Sequence, residues 1–116
     1  MIKQPELFLE HILMAILSIE KYIKGYNKTK FLADPKTIDA VIRQFEIIGE
    51  AAGNVPDNLT SGSPIPWRRL VGLRNKLIHD YMGVDFDIVW ETAKNGLTPL
   101  KKFVQLKLRK KGKYDY

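Results

Sequence analysis

The chain has no cysteine among its 116 residues, which excludes disulfides, thiolate nucleophiles and cysteine-based zinc sites. Histidine is nearly as scarce. His11 and His79 are the only two, too few for a histidine-rich metal centre, so neither a metal nor a cofactor is expected, and only carboxylates could hold a hard cation weakly. No run approaches the roughly 20 uninterrupted apolar residues of a membrane-spanning helix. The best stretch, Ile12 to Ile19, is broken by Ser18 and flanked by Glu10 and Glu20. The N-terminus also lacks the basic, apolar and small-residue succession of a secretory signal. The expectation is a cytoplasmic protein without a membrane partner.

The remaining composition is that of one globular domain, 45% hydrophobic and 28% charged, with enough apolar material for a core. Lys and Arg number 19 against 13 Asp and Glu, a formal charge of +6 and an isoelectric point near 9.6. That balance favours a polyanionic partner without identifying one.

Apolar spacing predicts helices throughout. Leu9, Leu13, Ile16 and Ile23, widened by Ile12 and Ile19, mark a first long helix that Gly25 and the polar Asn27 to Lys30 interrupt. Asp34 before Pro35 is a start signal, an N-cap side chain ahead of a residue whose missing N–H costs nothing in a first turn. Ile38, Val41, Ile42, Phe45, Ile48 and Ala52 then line a second helix, which Gly53 stops. Its other flank carries Asp39, Arg43, Glu46 and Glu50, which read most simply as a ladder of weak surface ion pairs. Residues 54–66, with three prolines, are expected to form a loop crossing one end of a bundle. A third helix runs from Trp67 towards Tyr81, with Gly83 as its terminator. A last one begins near Val84 or Asp85, carries Phe86, Val89, Trp90, Ala93, Leu97, Leu100 and Val104 on one side, and is expected to kink at Pro99. The fold class is all-α, a four-helix bundle over 1–108 followed by a basic tail over 109–116.

The third helix carries an anomaly. With Trp67 at zero and about 100° per residue, Val71, Ile78, Leu70, Leu77 and Tyr81 fall within about 80° on either side, and so does Arg74, at about −20°. A guanidinium there must pair with a carboxylate such as Glu46 or Glu50, emerge into a cleft, or face another subunit. Asn75 and His79, four apart, share one flank. Arg74 and His79 diverge by about 140°, so they converge on one substrate only through a bend at the helix end or a second copy of the chain. Taken alone, His79 is an ordinary surface or capping residue.

At these residues the sequence resembles the HepT-like toxins of the HEPN ribonuclease superfamily. Arg74-Asn75-Lys76-Leu77-Ile78-His79-Asp80-Tyr81 matches that family's pattern of Arg, four residues, His, any residue, Tyr. The flanking phrases match as well: Asp39-Ala40-Val41-Ile42-Arg43 and Ile48-Gly49-Glu50-Ala51-Ala52 on the second helix, Ile65-Pro66-Trp67 before the third, and Val84-Asp85 to Val89-Trp90 after it.

The resemblance implies a four-helix HEPN-type bundle that forms a homodimer with the active cleft at its interface. It also implies a metal-independent endoribonuclease, the toxin of a type VII-like toxin–antitoxin pair. Cleavage without metal needs a base for the ribose 2′-OH, an acid for the leaving 5′-oxygen and positive charge on the phosphorane-like transition state. His79 would exchange the protons, Arg74 would hold the non-bridging oxygens, and Asn75 would orient imidazole or phosphate. Tyr81 has two readings: a rim residue packed on the apolar stripe, or, by the resemblance, the tyrosine to which an MntA-like nucleotidyltransferase antitoxin adds AMP. Arg68, Arg69 and Lys76, with Lys101, Lys102 and the tail, could extend an RNA track. Trp67 and Trp90 are expected in packing. Two other readings share the fold: a non-catalytic helical dimer that binds a protein, and a histidine phosphotransfer bundle.

Overall fold

The structure, a computed structural model, describes residues 5–110; residues 111–116 of the basic tail lie outside the described residues. Helix α1 spans Pro5–Ile23, α2 Lys28–Leu32, α3 Pro35–Ala52, α4 Asp57–Thr60, α5 Trp67–His79, α6 Phe86–Glu91 and α7 Thr98–Lys110. A 3₁₀ turn at Tyr81–Gly83 follows α5, and a π turn at Thr92–Gly96 joins α6 to α7. Among the described residues there is no strand, so the chain is the all-α bundle that its apolar spacing predicts. No described helix is long and apolar enough to cross a membrane.

Helix α3 is the centre of the arrangement, with α1 on one side, α5 on the other, and α7 against α1. Leu9, Ile12, Leu13, Ile16 and Ile19 of α1 and Val41 and Ile48 of α3 are all but excluded from solvent. The Asp34 cap forms as expected: its carboxylate accepts the Thr37 amide at 3.2 Å, the Thr37 hydroxyl at 2.7 Å and the Tyr26 hydroxyl at 2.6 Å. Those hydrogen bonds, Tyr26's foremost, hold the Asp34 carboxyl below its ordinary value. Both tryptophans pack, Trp90 on Phe31 at 5.2 Å and Trp67 on Phe103 at 5.5 Å.

Several expectations are corrected. The polar Asn27 to Lys30 stretch does not only interrupt; Asn27 accepts the Lys30 amide at 2.8 Å and caps α2, which buries Phe31. The 54–66 connection contains the single turn α4, which buries Leu59. Helix α5 ends at His79, with Asp80 rather than Gly83 leaving the helix, so Tyr81 stands on the 3₁₀ turn. The last helix does not kink at Pro99. Its irregularity is the π turn before it, and Pro99 falls in the first turn of α7, where a missing N–H leaves no bond unmade. Helix α7 then continues through Lys110, with Leu108 fully buried.

Candidate active site

Helix α5 has no side-chain cap. Its start is pinned instead by Ser63, whose Oγ accepts the Ile65 amide at 3.1 Å and the Trp67 indole N–H at 3.3 Å. From there Leu70, Leu73 and Leu77 face the core, Leu77 almost completely buried. Leu73 was not part of the stripe that apolar spacing suggested. Ile78 was, yet it is 45% exposed. The buried face therefore reaches further round than expected on the Leu73 side and stops short of Ile78, while Trp67 and Val71 still pack against the core. Arg74 keeps its place between Trp67 and Leu70 on this face, as the apolar spacing predicts.

Gly49 makes room for it. A Cβ at that position would stand 2.3 Å from the Arg74 Cβ and 2.7 Å from the Leu70 carbonyl oxygen. With no side chain there, α3 and α5 meet backbone to backbone, and Arg74 sits directly over the contact. Its guanidinium reaches out along the seam, Nη2 pairing with Glu50 Oε2 at 3.2 Å and Nη1 donating to Asn75 Oδ1 at 2.9 Å. The Arg74 side chain is one-third exposed, its Glu50 partner 63%. The expected pairing with a helix-two carboxylate is present, and Glu50 supplies it.

The α3 flank read as a self-contained ladder is shared with the neighbouring segment. Arg43 and Glu46 pair along the helix at 3.2 Å. Glu50 instead reaches Arg74, and Asp39 accepts the Tyr81 hydroxyl. The Tyr81 ring also packs edge-on to Phe86, with centroids 6.0 Å apart. Hydrogen bonding to Asp39, then burial, then the Asp39 charge push the Tyr81 phenol up to about 12. Sequence reasoning missed the Asp39–Tyr81 bond because the partners are 42 residues apart.

His79 is the last residue of α5, exposed and without an ion pair among the described residues. Asn75 is exposed too, and its amide faces Arg74. Arg68, Arg69 and Lys76 are all exposed. Arg68 shares a shallow groove with Asp57 and Thr60, and Lys76 stands beside an apolar groove between α5 and α6, lined by Leu77, Val84 and Ile88. Lys101 is committed to Glu20 of α1 at 2.9 Å. Among the described residues no three His, Asp or Glu side chains gather as metal ligands do.

An all-α bundle in which a helix packed on the central one ends in Arg, four residues and His, with the motif Tyr on the turn beyond, is a HEPN-type ribonuclease. The ribonuclease HepT-like family matches residues 12–106, and the chain belongs to that family. It is an endoribonuclease.

A protein of Caldanaerobacter subterraneus subsp. tengcongensis named as an RNase is 39% identical over 109 residues, covering 93% of this chain and 97% of that protein. One of Thermococcus cleftensis named as a ribonuclease HepT is 45% identical over 102 residues, 86% of this chain and 93% of its own length. A Methanocaldococcus jannaschii protein named as an RNase is 41% identical over 96 residues, 82% of this chain and 83% of its own. No solved structure gives a significant match.

Proposed function

We propose that the chain cleaves RNA without a metal ion, as a homodimer, with Arg74, Asn75 and His79 at the reacting phosphate. The ribose 2′-oxygen attacks phosphorus, the bond to the 5′-oxygen breaks, and a 2′,3′-cyclic phosphate and a 5′-hydroxyl result. The base takes the 2′-OH proton and the acid returns one to the leaving oxygen. With one His79 per chain, the two roles are shared across the dimer or taken in turn. Arg74 neutralises the phosphorane-like transition state through charge-assisted hydrogen bonds, with Asn75 steadying its guanidinium.

The observation that carries this reading is the held posture of Arg74. A cation rooted in the α3–α5 contact, positioned from behind by Gly49 and braced by Glu50 and Asn75, keeps its direction before any substrate arrives. His79 on the same helix is unencumbered. These features also favour an enzyme over a protein-binding module or a phosphotransfer bundle, neither of which needs an oriented guanidinium beside the histidine.

In the same reading the chain is the toxin of a cytoplasmic toxin–antitoxin pair of type VII kind. An MntA-like nucleotidyltransferase silences it by adding AMP to Tyr81. The added phosphate and bulk would sit two residues from His79, repelling RNA and occupying its place.

The test is incubation of purified protein with a mixed RNA pool in excess EDTA, beside folded Arg74→Ala and His79→Ala, with end-group analysis and a mass measurement for AMP on Tyr81. Cleavage by the native chain alone, leaving cyclic phosphate ends, is expected. Silence from unmodified native protein sinks the proposal.

A further inference from the structure

Gly72 lies in the middle of α5, and nothing among the described residues calls for a glycine there. Its φ is not positive, and a Cβ added to it would meet no atom within 4 Å. Gly49 shows the contrast, since its missing side chain is what lets two helices touch. Inside a helix, glycine is the least favourable residue after proline, so α5 forgoes stability at this point with no return from contacts among the described residues.

Its surroundings are cationic. Residues three and four away on a helix are surface neighbours, and for Gly72 these are Arg68, Arg69, Asn75 and Lys76, all exposed. Arg74 and Arg43 are tied up in ion pairs, whereas none of these three cations is paired among the described residues; Asp57 lines the groove beside Arg68 without an ion pair to it. The result is a strip of bare helix ringed by three positive charges and an amide. His79 lies seven residues on, about 10 Å along the axis and within about 20° of the same face.

We propose that Gly72 is the point at which the sugar–phosphate backbone of the RNA substrate closes on α5. A phosphate sits over the bare turn between Arg68, Arg69 and Lys76, and the strand continues along the helix to His79. Charge selects this occupant. A second copy seated on the same face by a two-fold axis would press three cations against the same three, whereas a phosphodiester neutralises them. The direction of the strand rests on the proposal that His79 acts at the scissile phosphate.

The experiment compares Gly72→Ala and Gly72→Val with the native chain by thermal melting, oligomeric state, cleavage kinetics on a labelled single-stranded RNA in EDTA, and binding of that RNA in a His79→Ala background at several salt concentrations. Gly72→Ala is expected to melt about 4 °C higher while binding RNA more weakly. Gly72→Val should raise KM about tenfold with kcat within about twofold, flatten the salt dependence and leave the oligomer unchanged. A variant that is more stable yet binds less well separates this role from a structural one. Native KM and binding in both variants, with Arg74→Ala and His79→Ala inactive, overturn the inference and leave the proposed site intact. Loss of the oligomer in Gly72→Val also overturns it, by showing that a second copy covers the face. If Arg74→Ala and His79→Ala cleave normally, the site reading fails, and the binding measurement still decides Gly72.

Discussion

Tyr81 donates its phenolic hydrogen to Asp39, joining the turn that follows His79 to the first half of α3 across 42 residues of sequence. The chain leaves α5 at Asp80, with φ −143° and ψ 54°, and the short 3₁₀ turn brings the Tyr81 ring back between Phe86 and the α3 flank. The segment carrying His79 is thereby fastened at its far side. A proposed modification of the Tyr81 oxygen would replace this bond as well as add charge.

That bond has a pH signature. The Tyr81 phenol is pushed from its ordinary 10.0 to about 12, chiefly by its hydrogen bond to Asp39, then by burial and the Asp39 charge. A folded-state value above the unfolded one means that the bond's contribution is full below pH 10 and is lost as pH rises towards 12. In an absorbance titration of tyrosinate, Tyr81 should ionise later than an unperturbed tyrosine. Tyr81→Phe should delete that late step, and Asp39→Asn should move it down. A native titration without a late step would show the pair to be unformed.

Gly49 should tolerate no side chain. Gly49→Ala places a Cβ 2.3 Å from that of Arg74 and against a backbone carbonyl at 2.7 Å, so α3 and α5 must separate. Overpacking of this kind costs about 1–3 kcal/mol. It should also displace Arg74, lowering cleavage more than stability alone explains. Gly53→Ala is the control, because its nearest neighbour would be an ordinary 3.5 Å away. Denaturant unfolding and cleavage assays on both variants decide it, and equal behaviour of the two would refute the close-approach argument.

In the proposed site Glu50 both braces Arg74 and competes with RNA for it. The pair is largely solvent-exposed on the Glu50 side, so Glu50→Gln should cost under about 1 kcal/mol of stability. Freed of its carboxylate, Arg74 should bind a phosphate more readily. Glu50→Gln is expected to lower KM for RNA and steepen its salt dependence, in contrast to Arg74→Ala, which should abolish cleavage. A raised KM in Glu50→Gln would mean that the carboxylate's bracing matters more than its competition.

Much of this was legible in the sequence where apolar spacing and caps act locally. The Asp34–Pro35 start, the α1 and α3 stripes and the packed tryptophans follow from residues a few positions apart. What escaped was decided between elements. The close approach of α5 to α3 depends on Gly49 on another helix, and periodicity within α5 holds no trace of it. The Asp39–Tyr81 bond joins residues 42 apart, and Asp39 looked satisfied within its own helix. The kink expected at Pro99 is absent, because Pro99 falls in the first turn of α7 and the irregularity is the π turn before it. Arg74 was recognisable because a charge among apolar positions is conspicuous, and its partner Glu50 was one of two candidates by reach alone.

The end of α5 makes the last prediction. Ile78 is 45% and Met82 92% exposed beside Arg74 and His79, two residues that point about 140° apart on a straight helix. In the proposed homodimer this strip receives the second copy, and Arg74 of one protomer works with the partner's His79. Ile78→Glu should then yield a monomer that retains its helicity, with stability changed by less than about 1 kcal/mol, and cleaves no RNA. Mixing tests the composite site directly. Arg74→Ala and His79→Ala homodimers are each dead, but their heterodimer rebuilds one of its two sites, since the intact arginine of one chain meets the intact histidine of the other. Recovered cleavage in the mixture establishes a shared site. A mixture that forms heterodimers and stays inactive shows instead that both residues act within one chain or that each site needs both histidines.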